Sequence, residues 1–143
     1  MIALDTNLLV YAHRAETPWH DKAFGAVREL ATGIPPWAIP WPCLHEFLAV
    51  VTHPRIWDPP TPLPEALDQV RAWLQSPSLV LLSEQDEYLD ALASILEGGR
   101  LVGPRVHDAR VAALCIAGGV RELWTVDRDF QRVAGLKTRN PLV

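Results

Sequence analysis

Four acidic residues, Asp5, Glu46, Asp108 and Asp127, each end or interrupt an apolar stretch, and they are spread over almost the whole 143-residue chain. Asp5 closes the run Met1-Ile-Ala-Leu and Asp127 closes Leu123-Trp-Thr-Val, while Glu46 and Asp108 break apolar helical patterns around Phe47 and Val111. Such surroundings predict burial, and burying several carboxylates together is unfavourable. At about 5 Å and an effective dielectric near 20, two of them repel by roughly 3 kcal/mol. If the fold gathers them, a cation should neutralise them, and a divalent metal is the leading candidate. Carboxylate oxygens without Cys or His suit Mg2+ or Mn2+ rather than Zn2+.

Taken singly, each acid has a plainer reading. Asp5, before Thr6 and Asn7, could cap the first helix. Glu46 could be an exposed helical residue, Asp108 could favour the positive end of its helix, and Asp127 and Asp129 flank Arg128 in what could be a polar turn. The combination carries the metal reading. Period-two alternation in the strand ending at Asp127 puts Thr125 on the same face as that acid, where its hydroxyl would reach a water on the metal or a substrate phosphate.

Other chemistries fail on spacing. His45-Glu46 begins like a zinc-protease helix, but the second His position holds Ala49. No phosphate-cradling glycine loop and no Gly-x-Ser-x-Gly elbow is present. The five histidines, His13, His20, His45, His53 and His107, are scattered and read as surface or hydrogen-bonded residues. Cys43 and Cys115 lie in apolar helical patterns and read as buried reduced thiols.

Short apolar strands are expected at Met1–Leu4, Trp37–Ile39, Leu79–Leu82, with Leu79–Leu82 buried, and at Leu123–Val126, with an edge strand at Leu136–Thr138. Between them the 3.6-residue period predicts helices. The first begins near Leu8. The second is capped at Thr17-Pro18 and repeats through Trp19, Ala23, Phe24, Val27 and Leu30. The third opens at Pro42, with Leu44, Phe47, Leu48 and Val51 as its stripe. The fourth spans Pro64–Leu74, the fifth is capped by Ser83 with Asp86 and stopped at Gly98-Gly99, and the sixth carries Asp108 and stops at Gly118-Gly119. Nine of the 13 prolines fall between Pro35 and Pro64, so residues 53–64 form the longest loop, with Ile56 and Trp57 as apolar anchors. Strands alternating with helices predict an α/β domain around a parallel sheet, and functional groups in such folds gather at the carboxyl ends of strands, where Asp5 and Asp127 are placed.

The length fits one domain over residues 1–143, able to fold without staples. No apolar run approaches the roughly 18 residues of a membrane span, and no basic region precedes an apolar leader, so a cytoplasmic protein is expected. Net charge is −4, which argues against a protein that coats nucleic acid generally. The charge is uneven, however: residues 1–99 carry 5 basic and 13 acidic side chains, residues 100–143 carry 8 and 4. The last third therefore offers an anion a basic surface, unless it is only a solvated face.

The opening Ile2-Ala-Leu-Asp5-Thr6-Asn7-Leu-Leu-Val-Tyr11, the Glu in Pro42-Cys-Leu-His-Glu46-Phe, Asp108 in His107-Asp-Ala-Arg-Val-Ala-Ala, and Thr125-Val-Asp127-Arg-Asp129-Phe130 come in the order of a PIN-domain nuclease. The chain resembles VapC-type toxins of bacterial toxin–antitoxin pairs over essentially its full length. The resemblance implies a three-layer α/β/α sandwich with a central, mostly parallel sheet. It also implies a metal-dependent endoribonuclease, a homodimer, and a small antitoxin partner that inhibits it. Asp5 and Asp108 match the family's principal metal ligands, and Glu46 and Asp127 match the rest of its catalytic acid quartet. Asp129 is a further nearby acid, and Asn7 and Thr125 match supporting polar positions. One or two Mg2+ or Mn2+ ions would activate a water for in-line attack on an RNA phosphodiester, with Arg110, Arg128 and Arg132 available to RNA phosphates, contacts that carry affinity rather than sequence choice. Two other readings compete. One is a catalytically silent module of the same fold that binds RNA or protein, which would have no reason to keep repulsive acids. The other is a haloacid-dehalogenase-like phosphatase using Asp5, whose pattern would need an acid where Asn7 stands.

Overall fold

Strands of three or four apolar residues bury both faces only if helices cover each side of the sheet they form. A computed structural model, which describes residues 1–143, has that construction. In chain order the elements are β1 (Ile2–Leu4), α1 (Thr6–His13), α2 (His20–Thr32), β2 (Trp37–Pro40), α3 (Trp41–Val51), α4 (Leu63–Leu74), β3 (Leu79–Leu82), α5 (Tyr88–Gly99), α6 (Arg105–Ala117), β4 (Glu122–Trp124), a 3-10 turn (Arg128–Arg132) and β5 (Lys137–Arg139). The strands lie in the order β3-β2-β1-β4-β5, and all four pairings are parallel. Right-handed crossovers then put α1 to α4 over one face and α5 with α6 over the other. In accord with this, α1 packs on α2 and α3, α3 on α4, and α5 on α6. The chain reverses its direction across the sheet between β1 and β4, and a crevice opens at their carboxyl ends.

The core joins Ala3 and Leu4 of β1, Leu8 and Leu9 of α1, Trp37 to Ile39 of β2, Leu44, Phe47 and Val51 of α3, and Leu114 of α6. At the end of α6, Gly118 lets the helix approach β3, because a Cβ there would lie 2.8 Å from Leu82 Cδ2 and 2.9 Å from the Leu114 carbonyl oxygen.

Several local expectations are corrected. The strand Leu79–Leu82 is not buried: it is the sheet edge, only Leu82 is enclosed, and Val80 is 39% exposed. Helix α2 begins at His20 rather than Pro18, because the Thr17 hydroxyl donates back to the Arg14 carbonyl instead of capping forward. Its buried face is Ala23 and Val27, whereas Trp19 and Phe24 face outward. Ser83 and Asp86 do not cap α5; the Ser83 hydroxyl accepts from the Gln85 amide instead. Gly98 and Gly99 lie within the last turn of α5, and the left-handed residue that ends it is Arg100. In the proline-rich loop Trp57 is an anchor, but Ile56 is exposed.

Candidate metal centre

Asp5 leaves β1 in the extended conformation and caps α1, its Oδ1 accepting from the Thr6 amide at 2.8 Å. The capping reading and the site reading therefore describe one residue. The same oxygen faces the Cys43 thiol at 3.6 Å, while Oδ2 accepts from the Thr125 hydroxyl at 2.7 Å and the Asn7 amide at 3.2 Å. Four donors fix a carboxylate that is only 6% exposed. Burial raises its pKa, the Thr125 and Thr6 hydrogen bonds oppose that, and the charge of Glu46 adds to it.

Thr125 lies one residue beyond the end of β4, its amide still bonded to the Arg139 carbonyl. Its hydroxyl proton is committed to Asp5, and its oxygen accepts from the Asp127 amide at 3.0 Å. This corrects the expectation that Thr125 reaches a water or phosphate: the hydroxyl positions two acids instead. Asn7 ties the same strands together, donating to Asp5 and, at 3.4 Å, to Thr125, and accepting from the Val126 amide at 3.3 Å. Asp127 caps the 3-10 turn, its Oδ1 accepting from the Asp129 amide at 2.9 Å.

Asp108, in the first turn of α6, and Glu46, in the second turn of α3, line the same cleft of about 820 Å3 as Asp5 and Asp127. The expected burial holds only for Asp5. Asp108 and Asp127 are half-buried and Glu46 is exposed, although Thr6 Oγ1 holds its carboxylate at 3.0 Å. The tightest group is Asp108, Asp127 and Asp129, with one carboxylate oxygen from each within 4.8 Å of the others. Burial raises the pKa of Asp108, and the charges of Asp127, Asp5, Asp129 and Glu46 push it further in that order. The other four acids thus all act on Asp108.

None of the five forms an ion pair within 4 Å. The contrast with Glu122 is instructive. That carboxylate is as buried as Asp5, yet it accepts from the Trp124 indole at 2.8 Å and faces Lys137 at 3.3 Å. Negative charge left uncompensated in a partly enclosed cleft fits a divalent cation held by carboxylate oxygens.

Of the arginines, Arg110 lines the acidic cleft and pairs with Glu84 at 3.5 Å. Arg132 lines a neighbouring hollow of about 390 Å3 that also contains Asp108 and Asp129. Arg128 is exposed on the 3-10 turn and reaches neither cavity. Sequence reasoning missed Thr6 and Cys43 as supports of the acids. Thr6 stood inside the Asp-Thr-Asn motif, but nothing local signals that a thiol 38 positions away turns toward Asp5. Both thiols are free and buried, and burial pushes Cys115 up to about 12 and raises Cys43 well above its ordinary value, so both remain protonated.

The family described as PIN domain matches residues 2–136. Ribonuclease VapC33 of Mycobacterium tuberculosis is 32% identical over 142 residues, covering 99% of both chains. Among solved structures, VapBC2 from Rickettsia felis, bound to a promoter DNA fragment, superposes with a TM-score of 0.71 at 22% identity over 98% of each chain. The M. tuberculosis toxin VapC20, described as cleaving the sarcin-ricin loop, superposes with a TM-score of 0.68 at 18% identity, covering 95% of this chain and 96% of its own.

Proposed function

The chain belongs to the PIN-domain family, and from that premise we propose that it is the ribonuclease toxin of a toxin–antitoxin pair, a hydrolase that cuts RNA with Mg2+ or Mn2+. The observation that carries this reading is the convergence of Asp5, Glu46, Asp108 and Asp127 on one cleft with no ion pair to any of them. Asp5, Asp108 and Asp127, with Glu46 and Asp129 nearby, would hold one or two ions. When bound, such an ion neutralises the acids, activates water and stabilises the leaving oxygen of a phosphodiester. The chain's own part is to hold that geometry. Thr125, Asn7 and the α1 amide fix Asp5, Thr6 fixes Glu46, and Asp127 is aligned by its own turn. Arg110, at the cleft, is placed to meet the anionic substrate. A phosphatase reaction through Asp5 fits poorly, because the second acid its pattern needs is replaced by Asn7, whose amide donates to Asp5.

The test is incubation of the purified protein with mixed RNA and, separately, with a phosphatase reporter, in EDTA and in Mg2+ or Mn2+. Metal-dependent RNA cleavage without reporter turnover is expected. Reporter turnover alone, or no reaction with RNA in either metal, would reject the ribonuclease reading.

Basic side chains outside the acid cluster should supply phosphate contacts. Arg128→Ala and Arg132→Ala are expected to weaken RNA binding, and each should flatten the slope of log affinity against log salt by about 0.7 for a single strand. A double variant with unchanged affinity and slope would mean that the basic last third is only a solvated face.

The proposed assembly is a cytoplasmic homodimer inhibited by a small antitoxin. No helix is long and apolar enough to cross a membrane. Apolar surface for association lies less in the tryptophans, of which Trp37, Trp73 and Trp124 are buried, than in α5 and the segment after it. Helix α5 encloses no residue fully, Leu89 is 69% exposed, and Val102 is 76% exposed. Light scattering at micromolar protein should give the mass of two chains; the mass of one would refute the dimer.

A further inference from the structure

Tyr11, His45 and Trp57 are three of the five aromatic side chains that line the same cleft as the acids. Each is backed by a second group. Trp19 lies 5.0 Å from Tyr11, Trp41 lies 5.9 Å from His45, and the Arg14 guanidinium stands 4.4 Å over the Trp57 ring. Arg14 is itself fixed rather than free. Its side chain is 11% exposed, and it donates to the Pro59 carbonyl at 2.9 Å and the Thr61 hydroxyl at 3.0 Å and pairs with Glu16. His13 holds the same Thr61 hydroxyl at 3.1 Å, and the Thr61 amide bonds to the Val51 carbonyl at 2.8 Å. The proline-rich loop is thus fastened to α1 and α3 so that Trp57 is carried into the cleft wall.

Packing alone does not call for an indole at that place. The Trp57 N–H is the one buried side-chain polar atom in the protein without a hydrogen-bond partner, and a purely apolar side chain would fill the space without that penalty. The cleft also has a problem of charge. Without metal its floor repels an anionic substrate, and its one arginine is shared with Glu84. Aromatic ring faces can hold a nucleobase whatever the sign of the floor.

We propose that Tyr11, His45 and Trp57 form a stacking wall for unpaired nucleobases beside the scissile phosphate. The proposal rests on the ribonuclease reading and adds to it the side chains that hold the bases of an unpaired strand. A duplex keeps its base faces stacked internally and cannot use such a wall. Stacking on an aromatic side chain strengthens binding by about 5- to 150-fold per base.

Dissociation constants should be measured in Mn2+ and in the Asp108→Asn background, which prevents cleavage. The probes are a single-stranded oligoribonucleotide, an abasic ribose-phosphate oligomer of equal length, and a duplex. The base-bearing strand should bind at least about tenfold tighter than the abasic one, with the duplex no better than the abasic strand. Adding Tyr11→Leu and Trp57→Leu should bring the ratio of base-bearing to abasic affinity close to one without altering the abasic constant, which controls for folding. Trp57→Phe, retaining a ring, should recover most of the ratio, and Tyr11→Leu alone should lower it. Equal affinity for base-bearing and abasic strands, or a ratio that survives the double substitution, overturns the wall. RNA cleavage by the wild-type protein in Mn2+ would persist in either case, so failure of the wall is distinguishable from failure of the ribonuclease reading.

Discussion

Asp108→Asn should lower RNA cleavage in Mn2+ by more than about a hundredfold, and Asp5→Asn should do the same. The two substitutions act through different surroundings. Asp108 belongs to the trio whose oxygens approach within 4.8 Å, and no protein donor engages its carboxylate. An amide there removes one negative charge and offers an N–H toward the ion, with little else disturbed. Asp5 accepts from Thr6, Asn7, Cys43 and Thr125. An amide can accept through only one of its two heavy atoms, so at least one of these donors will face another donor, at a cost of about 1–3 kcal/mol. Asp5→Asn should therefore be inactive and less stable, and Asp108→Asn inactive and fully folded. Cleavage assays on wild type and both variants purified in parallel, with circular dichroism to verify folding, decide the matter. Full metal-dependent activity in folded Asp5→Asn protein would remove that residue from the reaction.

Metal and pH should move stability in a way set by the same acids. Asp5 and Asp108 both have native pKa values raised, first by burial and then, for Asp108, by the neighbouring carboxylates. An acid with a raised native pKa holds its proton more tightly in the folded than in the unfolded state. Its destabilising effect is absent below the unfolded value near 4, grows as pH rises through the native value, and is complete above that. Without metal the protein should thus be less stable at neutral pH than at slightly acidic pH. Divalent metal that binds the folded state should reverse the loss, by about 2.7 kcal/mol at a hundredfold excess over its dissociation constant, or roughly 5 to 10 °C in melting temperature for a chain of this size. Asp108→Asn relieves repulsion, so it should stabilise the metal-free protein while blunting the metal response. Melts of wild type and Asp108→Asn in EDTA and in millimolar Mn2+, at neutral and mildly acidic pH, test these signs. A wild-type melt indifferent to Mn2+, together with an Asp108→Asn protein less stable than wild type in EDTA, would show that the acids share no metal.

Apolar period along the chain determined the elements, though not the ends of α2 and α5. Strand-length runs such as Ile2–Leu4 and helical repeats such as Leu44, Phe47 and Val51 are properties of neighbouring residues, and they survive into the fold because one face of each must leave water. The acids were legible for the same reason: a carboxylate ending a buried run is conspicuous wherever the run is finally placed. Tertiary structure alone decided how those acids meet. Asp5 and Thr125 are 120 positions apart, and they touch because β4 pairs beside β1 rather than at the far edge of the sheet. The hydroxyl of Thr125 could have faced solvent or substrate; proximity to a buried carboxylate, the strongest acceptor in reach, turned it toward Asp5. The exposure of Glu46, the grouping of Asp129 with Asp108 and Asp127, and the entry of Trp57 into the cleft likewise depend on which helix ends converge on the crevice. Local pattern can set which residues leave water, but the partner each polar atom finds is settled by competition among donors and acceptors that only the assembled strands and loops bring within 3 Å or so.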